Sequence, residues 1–252
     1  ADCGGSGQSS WTGPYTFTTA CVALTPPQTE DFSGGVPPTN CWQVADAGDP
    51  STGPSSFGSS NWGDEGFGMS GGSGAARINL YTTGTNDWLI APEYDLTSGG
   101  PYQIEFDFGV FDYNSSTPGT LGSDDEVQLL YSVDGGATWT VAATFDDTYV
   151  TSSGGNHEIF DLTPLSGATV KFAVWATEGT TDDSEDNDIF IDNVEVVTIP
   201  ACPDPTGLTV SNLTASTADL GWTENGSATT WDIEWGATGF TPTGTPTNAG
   251  VT

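Results

Sequence analysis

YQIEFDFGVFDY, residues 102–113, decides the fold. Tyr102, Ile104, Phe106 and Phe108 alternate with Gln103, Glu105 and Asp107, so one face is apolar and the other polar, the period of a half-buried strand. The segments on either side read the same way. WLIAPEYDL (88–96), EVQLLYSVD (126–134), ATWTVAATF (137–145) and VKFAVWATE (170–178) are all predicted strands. The Asp-Gly pair in VDGGATW, between two of these runs, is a hairpin signal. Gly/Ser/Asp/Asn clusters separate the runs, and no long helical pattern appears. About ten strands in about 170 residues predict an all-β chain built as a two-sheet jelly-roll β-sandwich.

Charge narrows the function classes. The 252 residues carry 34 Asp plus Glu against two basic residues, Arg77 and Lys171, for a formal net charge of −32. Such a surface repels nucleic-acid phosphates and anionic lipid, so no nucleic-acid partner is expected. No run of 18 or more apolar residues occurs, so no direct membrane insertion is expected. Salt bridges cannot absorb the carboxylates, because the cations are missing. The carboxylates are therefore solvated, or some of them share metal ions. The first residues, ADCGGSGQSS, are polar and carry no signal peptide, so any export information is expected outside this sequence. The four cysteines, Cys3, Cys21, Cys41 and Cys202, form no CxxC and have no histidine at metal spacing. Disulfides in an oxidising compartment, hence a secreted, extracellular or cell-surface protein, fit better than zinc.

After Pro200 the character changes. Residues 203–252 resemble the first half of a fibronectin type III domain, an Ig-like sandwich, through a Pro-rich entry, LTVSNLT, TADLGWT with Trp222, and WDIEWG. ADCGGSGQSSWTGPYTFTTAC at the start resembles the end of such a domain. The expected layout is 1–21 as the closing part of a type III domain, 22–27 as linker, 28–198 as the jelly roll and 199–252 as the opening part of a further type III domain. Neither fragment buries a core alone. The layout therefore reads as one period of a tandem array, with an ordinary boundary in a non-repeating protein as the alternative. The type III resemblance implies that Cys202 pairs with the Cys3 equivalent of the following module, leaving Cys21 to pair with Cys41. The alternative pairing is Cys3–Cys21 with Cys41–Cys202.

Residues 28–198 resemble the cleaved-adhesin, or choice-of-anchor J, family of Bacteroidetes surface proteins, a MAM-like jelly roll. The resemblance rests on EDFSGGVPPTNCWQ, TGPSSF, GAARINL, NDWLIAPEYDL, SDDEVQLLYSVDGGATW and IFIDNVEV. It implies a calcium-stabilised, non-catalytic jelly roll found in secreted adhesins, in domains attached to secreted proteases, and in long cell-surface proteins. In that family the metal lies where the first and last strands meet. On matching positions this implies Glu30 and Asp31 with Asp192 and Asn193, and loop residues Asp46 and Asp49 as further ligands. Calcium takes 6 to 8 oxygens, which suits such a set. MAM-like patterns carry a Glu after the Phe, where this sequence has Ser33. A second, weaker cluster is the loop TTDDSEDND with Asp182, Asp183, Glu185, Asp186 and Asp188, together with Asp124, Asp125 and Glu126. Carboxylates this dense repel one another unless a cation intervenes; the plain alternative is a solvated acidic loop.

Catalytic patterns are sparse. HExxH and P-loop sequences do not occur; a GxSxG spacing occurs once, as GMSGG at 68–72, and the single histidine, His157, reads as a surface residue. With 34 acidic residues, a pair of carboxylates near each other carries no information about glycoside hydrolysis. Most of the nine Trp residues are expected in the core; Trp11 and Trp62 are candidates for stacking on a sugar ring. The reading is a non-catalytic structural and adhesive repeat of a long extracellular protein or filament. Its expected cofactor is calcium, and its expected partners are neighbouring copies of the module and surface glycans. The alternatives are a carbohydrate-binding module and a non-catalytic appendage of a secreted protease or glycosidase.

Overall fold

The structure is a computed structural model that describes residues 21–200 and 205–252, apart from 73, 215, 227, 238 and 242. Eleven strands make up the first part: β1 (Gln28–Glu30), β2 (Gln43–Asp46), β3 (Gly63–Glu65), β4 (Ala75–Leu80), β5 (Asn86–Asp95), β6 (Tyr102–Asp112), β7 (Glu126–Ser132), β8 (Thr140–Phe145), β9 (Asn156–Asp161), β10 (Thr169–Thr177) and β11 (Asn187–Thr198). They form two sheets. One has the order β3-β4-β11-β6-β9, with β1 also paired to β11; the other has the order β2-β5-β10-β7-β8. Every pairing between these strands is antiparallel. The chain is thus an all-β two-sheet sandwich, as the alternation in 102–113 predicts.

Period-2 geometry fills the space between the sheets. Ala76, Ile78 and Leu80 of β4 and Ile104, Phe106 and Phe108 of β6 face Leu89, Ala91, Val127, Leu129, Val170 and Phe172 from the other sheet. Phe106, Phe108, Phe145, Tyr149 and Phe160 stack and edge against one another, with Phe108 and Phe145 only 4.3 Å apart between centroids. Aromatic pairs in these geometries add stabilisation beyond the area they bury. The outward faces are capped too. Trp88 and Trp175 lie on the outer face of the five-stranded sheet with Ala45, Ile90, Leu130 and Ala173, packed by Trp139. Their indole N–H groups both donate to the Gly48 carbonyl, at 3.4 and 3.2 Å. Phe111 and Phe190 lie on the outer face of the six-stranded sheet, under Phe67 and Met69 of a short 3-10 turn. Gly109 makes room for this cap: a Cβ there would lie 2.4 Å from the Phe111 ring.

β11 changes face partway along. Ile189 and Ile191 point into the core, and after an irregularity between Asp192 and Glu195 it is Val194 and Val196 that point in. Two residues of one parity give way to two of the other, which requires a bulge. Asn193 adopts the left-handed φ of 48° there.

Cys21 is joined to Cys41 in a disulfide, with Cα atoms 5.9 Å apart. The alternative pairing of Cys3 with Cys21 and Cys41 with Cys202 is therefore not adopted. Cys3 and Cys202 themselves, and the predicted strand YTFTT, lie outside the described residues. A disulfide of this kind fits an extracellular protein.

Residues 205–252 carry β12 (Thr206–Ser211) paired antiparallel with β13 (Asp219–Thr223), and β14 (Trp231–Ile233) paired antiparallel with β15 (Asn248–Val251). These two-stranded pairs leave Leu208 75%, Val210 63% and Leu220 47% exposed. Trp222 and Trp231 meet edge to face at 5.1 Å between centroids. A two-stranded pair with its apolar residues in water is at best marginally stable alone.

Candidate functional site

The first candidate site forms where β1 runs beside β11. Glu30 is paired with Val194, Asp192 lies opposite Asp107 of β6, and Asp107 lies opposite His157 of β9. Strand pairing therefore brings Glu30, Asp31, Asp192 and Asn193 into one neighbourhood. It adds two residues the sequence reading did not assign there, Asp107 and His157. Phe32 is fully buried with a left-handed φ of 49°, so the chain turns sharply just after the two acids. Glu30 accepts from the Phe32 N–H at 2.9 Å and from Asn40 Nδ2 at 3.0 Å; Asp31 accepts from the Ser33 N–H and hydroxyl at 3.0 and 2.7 Å. Asn193 donates Nδ2 to Asp107 Oδ2 at 2.8 Å, and His157 Nδ1 lies 2.9 Å from Asp107 Oδ1. Burial pushes the Asp192 carboxyl up to about 6; the Asn193 N–H works against this, and the Asp107 and Asp31 charges add to it. Asp46 and Asp49 do not join this group. Asp46 ends β2 in the other sheet. Asp49 caps its own turn, accepting from the Ser51 N–H and hydroxyl and from the Thr52 N–H.

The second acidic cluster divides in two. Asp188 is fully buried and forms an ion pair with Arg77, one of the two basic residues; it also accepts from Asn79 Nδ2 at 3.2 Å and from the Asn114 N–H at 2.9 Å. Asp186 accepts from Asn79 at 2.8 Å. These two acids hold the outer face of the β4–β11 pair rather than joining the rest. The remaining members meet at the ends of β7 and β10. Asp124 accepts from the backbone N–H and hydroxyl of Thr180 and of Thr181, at 2.8 to 3.2 Å, tying two loops together. Asp183 accepts from the Ser123 N–H, and Asp125 from the Gly122 N–H at 2.9 Å. Asp125 and Glu178 are 2% and 1% exposed. Burial is the first cause that pushes their carboxyls up, Asp125 to about 6 and Glu178 to about 7, and the charges of Asp124 and Asp183 act on both.

Glu178 was not assigned from sequence. The usable signal is strand register: it is the residue just past VKFAVWAT, and Asp125 is the residue just before EVQLLYS. Among the described residues, no group of three or more His, Cys, Asp or Glu side chains is gathered closely enough to hold a metal ion. Trp62 corrects another expectation. It is 5% exposed and part of the main core, because the loop before it folds under β5, where Asn61 donates both its N–H and its Nδ2 to the buried Asp87. It cannot stack on a sugar ring. Trp11 lies outside the described residues. His157 is on the surface, 48% exposed.

No protein-family model and no curated protein matches this chain. Solved structures do. The K1 cleaved adhesin domain of Lys-gingipain from Porphyromonas gingivalis W83 is 18% identical, covers 69% of this chain and 99% of its own, and superposes with a TM-score of 0.48. A carbohydrate-binding module, TmCBM61, solved with β-1,4-galactotriose, is 14% identical over 69% of this chain and 89% of its own, with a TM-score of 0.34. The xylan-binding module CBM15 is 12% identical over 69% of this chain and 97% of its own, with a TM-score of 0.37. Other matches are glycoside hydrolases in which the shared region spans 27% to 32% of the chain. These are similarities of a β-sandwich to β-sandwiches, and the family expected from the sequence motifs is not established by them.

Proposed function

We propose that this chain is a non-catalytic structural and adhesive module of the cleaved-adhesin type, working outside the cell as a unit of a longer assembly. The observation that carries this reading is the apolar face of residues 205–252. Leu208, Val210 and Leu220 project largely into water beside the Trp222–Trp231 pair. Exposed apolar surface of this extent marks an interaction face. In the same sequence, residues 1–21 resemble the closing strands of the sandwich that 205–252 would open. In this reading the 1–21 segment of a neighbouring module covers the face, so that modules join by completing each other's type III sandwich. The Cys202–Cys3 pairing between modules follows from the same arrangement. The net charge of −32 keeps completed rods apart. Calcium fits the β1–β11 seam: Glu30, Asp31, Asp107 and Asp192 supply oxygen donors only, and the Asp107 and Asp31 charges that act on Asp192 favour a bound cation. There the ion would clamp the first strand to the last.

Electron microscopy of the native material tests this reading. The expected result is a filament with a regular repeat containing two unequal domains. A second reading, a carbohydrate-binding module, draws on one feature: a cleft lined by Asn61, Arg77, Asn79, Tyr81, Thr82 and Thr85 on the outer face of the six-stranded sheet. Tyr81 and Tyr113 are each 49% exposed, and the Arg77 guanidinium sits 5.7 Å from the Tyr113 ring centroid. Isolated particles in the micrographs, with glycan-array binding that disappears in Tyr81→Ala, would favour it over the structural reading.

A further inference from the structure

The geometry points to a second cation site, separate from the β1–β11 seam, in which Asp125, Glu178 and Asp183 share one calcium-like divalent ion. The strand ladder creates it. β7 and β10 are antiparallel with Thr177 opposite Glu126 and Ala176 opposite Val127. One step beyond the last pair puts Glu178 opposite Asp125. Side chains alternate along a strand, so these two acids lie on the same side as Val127 and Ala176, which face the core. Two carboxylates thus stand directly opposite each other at the rim of an apolar interior, where like charges destabilise a sheet.

Both are buried, and each has an oxygen with no hydrogen-bond partner: Asp125 Oδ1 and Glu178 Oε2. A buried carboxylate oxygen without a partner is costly. No basic side chain answers them: Arg77 is committed to Asp188 and Lys171 lies six residues back along β10 from Thr177. Gly122 brings in the third acid. A Cβ at this position would lie 2.9 Å from Asp183 Oδ2 and 3.0 Å from Asp125 Oδ2, so only glycine lets the loop pass between the two carboxylates. At Gly179, with φ of 73°, a Cβ would lie 2.5 Å from the Asp124 carboxyl carbon, so this glycine admits the staple that closes the loops over the site. Asp182 and Glu185 add negative potential from outside. A single proton shared by Asp125 and Glu178 would satisfy the two orphan oxygens but would leave Asp183, Asp182 and Glu185 uncompensated. A divalent ion answers all of them, and oxygen-only donors of this kind suit calcium.

The test is calorimetric titration of calcium chloride into the chelator-treated full chain, comparing wild type, Glu178→Gln and Asp192→Asn. Glutamine keeps the shape of Glu178 and removes its charge, so this variant folds; melting without calcium should show a midpoint at or above wild type. The expected result is that Glu178→Gln loses one binding event, with affinity there falling more than about 100-fold, since even an outer-shell partner is worth about 10- to 100-fold. Asp192→Asn retains that event, whatever happens at the seam. Identical calcium titrations for Glu178→Gln and wild type would overturn the proposal and leave Asp125 and Glu178 as a proton-sharing pair. Failure of the seam site alone would remove only the event sensitive to Asp192→Asn.

Discussion

Asp134 sits at the turn after β7 and organises it together with Ser132, whose hydroxyl accepts from the Gly136 N–H at 2.8 Å. Its Oδ1 accepts from the Thr138 N–H at 2.9 Å and the Ser132 hydroxyl at 2.7 Å, and its Oδ2 accepts from the Thr138 hydroxyl at 2.7 Å. These bonds, the Thr138 hydroxyl first, hold its carboxyl down to about 2, below the ordinary 3.8. A pKa depressed on folding contributes stability that is fully present above the unfolded value and is lost as pH falls through the folded one. The hairpin is therefore expected to loosen between about pH 4 and pH 2. A carboxyl-carbon NMR titration would show Asp134 titrating last among the turn acids, and a midpoint at the ordinary value would contradict the assignment. At this scale the sequence is informative about turns, because Asp-Gly chemistry is local. It is less informative about burial. Trp62 follows a run of small residues and is a candidate for stacking on a sugar ring from sequence, yet it is buried, next to Asn61 reaching Asp87 in another strand. Asp186 and Asp188 read as part of an acidic loop, and Asp188 turns out to be held by Arg77 far back in the chain.

The bulge in β11 is the element on which the seam depends. It reverses the inward parity of the strand while keeping both halves packed, and it presents Asp192 and Asn193 toward Asp107. Asn193 holds a left-handed φ of 48°, a conformation that asparagine tolerates and branched residues do not. Asn193→Val is expected to lower stability by about 1 to 3 kcal/mol through backbone strain, while Asn193→Gly largely preserves it; paired thermal melts distinguish the two. Equal loss in both variants would assign the effect to the Asn193–Asp107 bond instead. The strands themselves were legible because 88–96, 102–113, 126–134 and 170–178 are apolar and β-forming runs bounded by turn residues, with clean alternation in 102–108; the second buried face carrying Trp88, Ile90, Leu130 and Trp175 was not. The bulge was not, since IFIDNVEV reads as one continuous strand unless its two partners are known. Glu178 is hidden in the sequence for the same reason: its burial opposite Asp125 is a property of the register between β7 and β10, and neither segment alone encodes it.

Across the whole molecule, one sandwich encloses a large aromatic core while the strands of 205–252 leave theirs open. The first is stapled by Cys21–Cys41 and closes its two sheets around a buried apolar core. The second has Val210 opposite Leu220 on a ladder with both side chains in water. Charge works against casual association: with −32 on each chain, copies meet only where contact gains exceed repulsion, and added salt strengthens that contact by screening. In the proposed assembly, the apolar face of 205–252 joins one module to the next. Sedimentation velocity on the full chain, with and without Val210→Asp and Leu220→Asp together, tests it most directly. Concentration-dependent oligomers that grow with salt are expected for the wild type, and a monomer at every concentration for the double variant. A wild-type chain that stays monomeric, or a double variant that assembles as the wild type does, would contradict it.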